Sequence, residues 1–147
     1  MSVFRGKILL ATDGSPEAER AAGMAAMLSE KLGLELHVKA EEEAGKFLTE
    51  RAGWIEAHGG KVEDTHVASG RPDAEIVRLA EELRVGLTVV GSTGLGGVGR
   101  ALMGSVSDSV VRHAHSPVLV ARRDRNPPKR SNLLYGLRST TGETGVE

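Results

Sequence analysis

The sequence LTVVGSTGLGGVGRALMGS, residues 87–105, carries the most informative pattern in the chain. Its first four residues form a continuous apolar run, which is typical of a strand buried on both faces of a parallel sheet. Its last residue opens Ser105-Val-Ser-Asp108, a Ser-x-x-Asp capping box that predicts the start of a helix. The stretch therefore predicts a strand, a glycine-rich loop and a helix in direct succession.

The same alternation of strand and helix runs through the rest of the chain. Short apolar runs predict strands at 7–12, 87–90 and 117–121, LELHVKA predicts another at 34–40, and VEDTHVA at 62–68 has moderate strand character. Helical spacing predicts helices at 16–32, 42–57 and 72–85 and from residue 105, the first with Ser15 as N-cap. Short strand-helix-strand connections imply parallel strands and right-handed crossovers. We therefore expect an α/β fold, a single doubly wound five-stranded parallel sheet with helices on both faces, in the flavodoxin-like order or a close variant.

Length and charge exclude several classes of protein. The chain has 147 residues, 39% of them hydrophobic, which fits one globular domain. Its formal net charge is -1, so no basic field favours nucleic acid. No run of 18 apolar residues predicts a membrane span, and no signal peptide is evident. Cysteine is absent, which suits a reducing interior, so we expect a cytoplasmic location.

The end of the chain differs in character from the body. Residues 123–147 include Asn126-Pro-Pro128 and many Ser, Thr and Gly residues, with no sustained period of 2 or 3.6. We expect a domain over 1–122 followed by a polar C-terminal tail over 123–147. A flexible tail and a strip that docks on a partner or on the domain itself both remain open.

The glycine-rich loop is suited to phosphate. Glycines let the backbone approach a ligand closely and turn successive amides toward one anion, and a helix N-terminus adds positive charge. A Walker loop would need a lysine before Ser105, where Gly104 stands. A Rossmann fingerprint fits Gly94, Gly96 and Gly99, but Arg122 stands where an acidic residue should end the next strand.

A third motif matches throughout. The spacing Gly91-x2-Gly94-x9-Gly104-Ser105 resembles the nucleotide loop of the universal stress protein family. The opening KILLATDGS, the Gly70-Arg-Pro before the third helix and the closing PVLV strand are similar to that family too. The resemblance covers roughly residues 5 to 122.

This resemblance implies an adenine nucleotide alpha hydrolase-like domain of the ATP-binding branch, a small cytosolic regulatory or stress-response protein that is often dimeric. The implied cofactor is ATP or another adenine nucleotide, with Mg²⁺. Carried over by position, Ala11, Thr12 and Asp13 would meet the nucleoside, and Val38 and Val90 would flank adenine. The phosphates would be held by Gly91, Gly94, Gly104, Ser105, Val106 and Ser107. From the residues alone, Asp13 fits a turn as well as a ligand, and Ser105 fits an N-cap beside ligand-binding amides.

No residue pattern predicts catalysis or a metal cluster. No Ser-His-Asp order or paired-carboxylate site is evident, and His113-x-His115 lacks a carboxylate partner nearby in sequence. Two alternatives to a regulatory ATP-binding domain stay open: a weak ATPase, and a nucleotide-independent homodimer formed through the edge strand Val118–Ala121. A regulatory partner is expected but not identified.

Overall fold

The described residues form nine elements that alternate between strand and helix. The computed structural model describes residues 6–13, 16–41, 48–92 and 104–122. The elements are β1 (Lys7–Thr12), α1 (Pro16–Leu32), β2 (Glu35–Glu41), α2 (Leu48–Ala57), β3 (Lys61–Ala68), α3 (Pro72–Leu83), β4 (Leu87–Gly91), α4 (Ser105–His113) and β5 (Val118–Ala121). The predicted tail, Gly94 and the predicted first turns of α2 lie outside the described residues.

The five strands form one parallel sheet in the order β3-β2-β1-β4-β5. The predicted doubly wound sheet is confirmed, and its order is a variant of the flavodoxin-like one, in which β3 would lie beside β1. Here the chain winds outward from β1 through β2 to β3 and then returns to the other side of β1 for β4. The direction of winding therefore reverses between β1 and β4.

Two helix ends are set by left-handed backbone. Helix α1 stops where Gly33 takes a φ of 65°, as its glycine predicts. Helix α3 ends at Leu83, two residues before the predicted end, because Arg84 adopts φ 53° and ψ 49°. The Arg84 amide still donates to the carbonyls of Ala80 and Glu81, which satisfies the last turn.

Alternation along the strands divides the core into two layers. Ile8 and Leu10 of β1 pack with α1 and α2 on one face of the sheet, together with the buried alanines of α1. Leu9, between them, packs with residues of α3 and α4 on the other face. Both faces of β1 are therefore buried, as its continuous apolar run predicts.

Replacing Gly60 by alanine is expected to destabilise the fold by roughly 1–2 kcal/mol. A Cβ at Gly60 would lie 2.5 Å from Ile55 Cγ2, 3.2 Å from the Ile55 carbonyl oxygen and 3.3 Å from Ala26 Cα, so stiff atoms would have to move. Gly53→Ala in helix α2 is the control, since its Cβ would meet nothing within 4 Å. That variant should be neutral or stabilising by up to about 1 kcal/mol. Urea unfolding of both variants checks this, and equal midpoints would contradict the packing at Gly60.

Candidate functional site

The candidate site lies where β1 and β4 end side by side. The two strands pair directly, with Ile8 opposite Leu87 and Leu10 opposite Val89. Thr12 and Asp13 follow at the end of β1, and Gly91 and Ser92 follow at the end of β4. In open α/β sheets, the crevice at the carboxyl ends of strands where the winding reverses is the usual place for a ligand.

A buried polar atom lies at the end of β1. The side-chain oxygen of Thr12 is buried and has no hydrogen-bond partner among the described residues. A hydroxyl in that state is costly unless another group completes its hydrogen bonding. Asp13 follows directly and is partly exposed. The end of β1 therefore offers an unsatisfied hydroxyl and a carboxylate at the crevice.

The start of α4 is tied to the end of β4. The Gly104 amide donates to the Ser92 carbonyl, and the Ser107 hydroxyl donates to the same oxygen over 2.6 Å. The Ser92 amide in turn donates to the carbonyl of Ala121 in β5 over 2.8 Å. These bonds hold the first turn of α4 beside the strand ends.

The predicted capping box at Ser105 is wrong. Gly104 is the N-cap residue, with extended backbone at φ -73° and ψ 168°, and no side chain caps the helix by a hydrogen bond. Ser105 is therefore the first helical residue, and its side chain is exposed. The Asp108 amide donates to the Gly104 carbonyl over 3.0 Å. The Asp108 carboxylate pairs with Arg112 and does not reach back to the start of the helix.

The first turn of α4 carries the electrostatics of an anion site. The amides of the first turn of a helix have no acceptor within the helix, and the helix dipole adds about half a positive charge there. Those amides belong to Ser105, Val106 and Ser107. The Ser107 hydroxyl is committed to carbonyl oxygens, so Ser107 offers a ligand its amide, whereas Ser105 offers both amide and hydroxyl.

A hydrogen bond also joins helix α4 to helix α3. The Ser109 hydroxyl donates to Asp73 Oδ2 over 2.7 Å. That hydrogen bond is the largest of the contributions that lower the pKa of the Asp73 carboxyl. Arg71 pairs with the same oxygen at 3.1 Å. The start of α3 and the middle of α4 are thus joined, which limits movement of the candidate site.

Ser107→Ala is expected to destabilise the fold by about 1–2 kcal/mol, because it removes a buried hydrogen bond and leaves the Ser92 carbonyl with fewer donors. The matched control is Ser105→Ala, two residues away on the same turn, whose exposed hydroxyl makes no capping bond. That change should cost less than about 0.5 kcal/mol. Thermal or urea unfolding of the pair measures the difference, and a larger loss at Ser105 would reverse the assignment of roles.

The structure brings together some of the predicted site residues and separates others. Thr12, Asp13 and Gly91 lie at the two strand ends, and the start of α4 is bonded to Ser92, the residue after Gly91. The valines Val38 and Val90 are both buried but pack in different clusters, on opposite faces of the sheet. Their side chains therefore belong to different layers of the core, and their contact with an adenine ring stays a prediction.

Two further predicted residues, Ala11 and Val106, pack against the core. Ala11 and Val106 are partly buried against the cluster that α3 and α4 form with the sheet. Sequence reasoning missed Ser92, whose carbonyl accepts both bonds from α4. Its position directly after the last residue of β4, at the reversal of winding, is the signal that could have found it.

The described residues contain no group of three or more His, Cys, Asp or Glu side chains placed to hold a metal ion. His113 uses Nδ1 at 2.8 Å from the Ser109 carbonyl oxygen, and His115 lies 2.9 Å from a Glu81 carboxylate oxygen. Within the same described residues, no helix is long and apolar enough to cross a membrane.

Together, the sheet and its crevice define the class: a small α/β domain with a crevice at the reversal of a parallel sheet, where such folds usually bind ligands. Residues 5–122 match the sequence model of the universal stress protein family. The chain belongs to that family, as its glycine spacing and strand motifs predict.

Two relatives and one solved structure illustrate the match. A universal stress protein of Thermus aquaticus is 37% identical over 133 residues, covering 78% of this chain and 97% of the relative. One from Methanocaldococcus jannaschii is 38% identical over 85 residues, 58% of this chain, and the match spans only 49% of that relative's length. A crystal structure of a universal stress protein in complex with cAMP is 26% identical, has a TM-score of 0.71, and covers 84% of this chain and 100% of its own.

Proposed function

We propose that this chain is a regulatory, stress-response domain that binds an adenine nucleotide, ATP with Mg²⁺, at the crevice between β1 and β4. The observation that carries the proposal is the bonding of Gly104 and Ser107 to Ser92, which fixes a helix N-terminus beside the end of β4. Such a terminus binds phosphate. The complex of a similar universal stress protein with cAMP supports an adenine nucleotide as the ligand.

In this proposal the phosphates lie against the first turn of α4. The amides of Ser105, Val106 and Ser107 face the anion, and Gly104 leaves room for it because it has no side chain. Gly91 lets the backbone at the end of β4 come close to the ligand. Gly94, outside the described residues, completes the motif.

The nucleoside in this proposal meets the end of β1. The buried Thr12 hydroxyl gains a hydrogen-bond partner from the ligand, which would remove its present cost. The Asp13 carboxylate holds either a ribose hydroxyl or the Mg²⁺ on the phosphates, because hard cations prefer oxygen ligands. Ala11, Val38 and Val90 support the strand ends beneath the base, since the two valines are buried in separate layers.

Binding, rather than turnover, is the proposed activity. The sequence offers no triad or carboxylate pair to activate water, so we propose no catalytic residue and at most slow hydrolysis of ATP. Occupancy of the crevice would alter the surface presented to a regulatory partner. We place this activity in the domain 1–122, with 123–147 as a tail, and in the cytoplasm.

Isothermal titration of the full chain with ATP, ADP, AMP and cAMP, each with and without Mg²⁺, tests the proposal. We expect saturable heat with ATP, tighter with Mg²⁺ than without it, and an upward thermal shift because the ligand binds the folded state. Inorganic phosphate is the control for a general anion effect. No heat and no thermal shift at millimolar ATP would remove the claim.

The second candidate function is homodimerisation through β5. Strand β5 is an edge of the sheet, and its Val118, Leu119 and Val120 are only partly buried. Edge strands with apolar side chains favour pairing with another strand. Sedimentation of the full chain with and without ATP distinguishes the cases: a dimer indifferent to ATP favours a nucleotide-independent module, and a monomer in both conditions excludes it.

A further inference from the structure

Two histidine side chains join the edge strand β3 to the rest of the sheet. His37 Nδ1 of β2 lies 3.1 Å from His66 Nε2 of β3, and the ring centroids are 5.3 Å apart. His37 is opposite Leu9 in register, which places it on the α3 and α4 face of the sheet. Its side chain is only 6% exposed. Strand β3 pairs with β2 alone, so this contact reinforces the attachment of an edge.

The backbone pairing is irregular beside the histidine pair. The register between β2 and β3 shifts between Leu36 and His37, which then faces Asp64. Such a shift locally disrupts the ladder of hydrogen bonds. The link between the two rings therefore contributes next to an irregularity in the main-chain pairing.

The link depends on the number of protons on the two rings. A bond between two imidazole nitrogens needs one proton between them, so one ring donates and the other accepts. With both rings neutral, or with one extra proton on the pair, that arrangement is retained. With two extra protons, both facing nitrogens carry hydrogen, the bond is lost and two positive charges face each other.

The surroundings of His37 disfavour its protonated form. Within the described residues, the charged groups near the pair are Lys7 of β1, Glu35 and Lys39 of β2 and Asp64 of β3. One more carboxylate, that of Glu75 in α3, interacts with Lys39. Burial lowers the pKa of His37 below 6.5, followed by the effects of His66 and Lys7, while Asp64 and Glu35 oppose the shift without reversing it. Its other ring nitrogen, Nε2, is buried with no partner among the described residues.

We propose that the His37–His66 pair is an acid-sensitive latch, which holds edge strand β3 on β2 at neutral pH and releases it when the pair takes up two protons. The open strand exposes both rings to water, so it binds the second proton more readily than the closed strand. The stability that the latch supplies is therefore complete above about pH 6.5 and is lost progressively as the pH falls below that value.

Hydrogen exchange of the full chain at pH 7.5 and pH 5.0, expressed as protection factors, tests the latch. We expect protection of the β3 amides to fall at least about tenfold more than that of the β1 amides, since one differential proton changes an equilibrium up to tenfold per pH unit. A histidine titration by NMR on the same protein should place the His37 midpoint below 6.5. No extra loss of β3 protection, or an ordinary midpoint for His37, would overturn the proposal.

Two glutamine variants separate the latch from a general effect of acid. In His66→Gln the amide can donate to neutral His37 or accept from charged His37, so β3 should keep its protection at pH 7.5. At pH 5.0 it should lose less protection than in the unaltered chain, because the bond survives protonation and the charge of His66 is gone, although the burial of His37 remains. His113→Gln, on an exposed residue of α4, should behave like the unaltered chain. An equal acid loss in His66→Gln and the unaltered chain would also overturn the latch.

Discussion

Leu10→Ala is expected to destabilise the protein by about 3–5 kcal/mol, near the upper end for a buried leucine. Leu10 is fully buried, at 0% exposure, in the strand that pairs with both β2 and β4. It packs in one cluster with Ala21, Ala22 and Ala25 of α1. Alanines have no side-chain torsion with which to fill a void, so the cavity should persist and its cost should be close to the full value.

Urea unfolding measures this cost, with Met27→Ala as the control. Met27 lies on the same helix that Leu10 packs against, but its side chain is 52% exposed, so its truncation should cost less than about 1 kcal/mol. The slope of the free energy of unfolding against urea should stay unchanged in both variants. A loss below about 1 kcal/mol for Leu10→Ala would contradict the layer assigned to β1.

Gly104→Val is expected to weaken ATP binding about a hundredfold, or about 2.7 kcal/mol. The backbone of Gly104, at φ -73° and ψ 168°, is extended and open to a β-branched residue, so the fold should survive the change. The added isopropyl group would instead separate the phosphates from the amides at the start of α4. Charge-assisted hydrogen bonds are the strong ones in such a site, so losing their close approach should dominate the affinity.

His113→Ala is the matched control for Gly104→Val, because it lies at the far end of the same helix and is exposed. Titration calorimetry with ATP should give the unaltered affinity for His113→Ala and an intermediate affinity for Gly104→Ala. The same affinity in all three variants would show that ATP does not contact the start of α4.

The sequence predicts the sheet well because the signals for its strands are local. Strands β1, β4 and β5 are short apolar runs, and glycine or proline marks most of the boundaries, as Gly33 does at the end of α1. The adjacency of the Asp13 turn and the end of β4 follows from the reversal of winding alone, and the pairing of β1 with β4 confirms it. These features depend on periodicity and connection length, which a single sequence carries.

The details of the site that the sequence leaves out depend on tertiary contacts, which periodicity does not carry. Ser105 fits an N-cap by type, but bonds from Gly104 and Ser107 to Ser92 shift the cap by one residue. Val38 and Val90 are equivalent as buried strand valines, and only the register of the whole sheet assigns them to opposite faces.

The most direct test of the account is an amide NMR titration of the full chain with Mg-ATP. We expect the amide signals of Thr12, Asp13, Ser92 and the first-turn residues of α4 to shift progressively and saturate together. The signals of exposed amides at the far end of α4 should not move. Saturating ATP that leaves those strand-end amides unmoved, or that shifts a different surface, would contradict the proposed site.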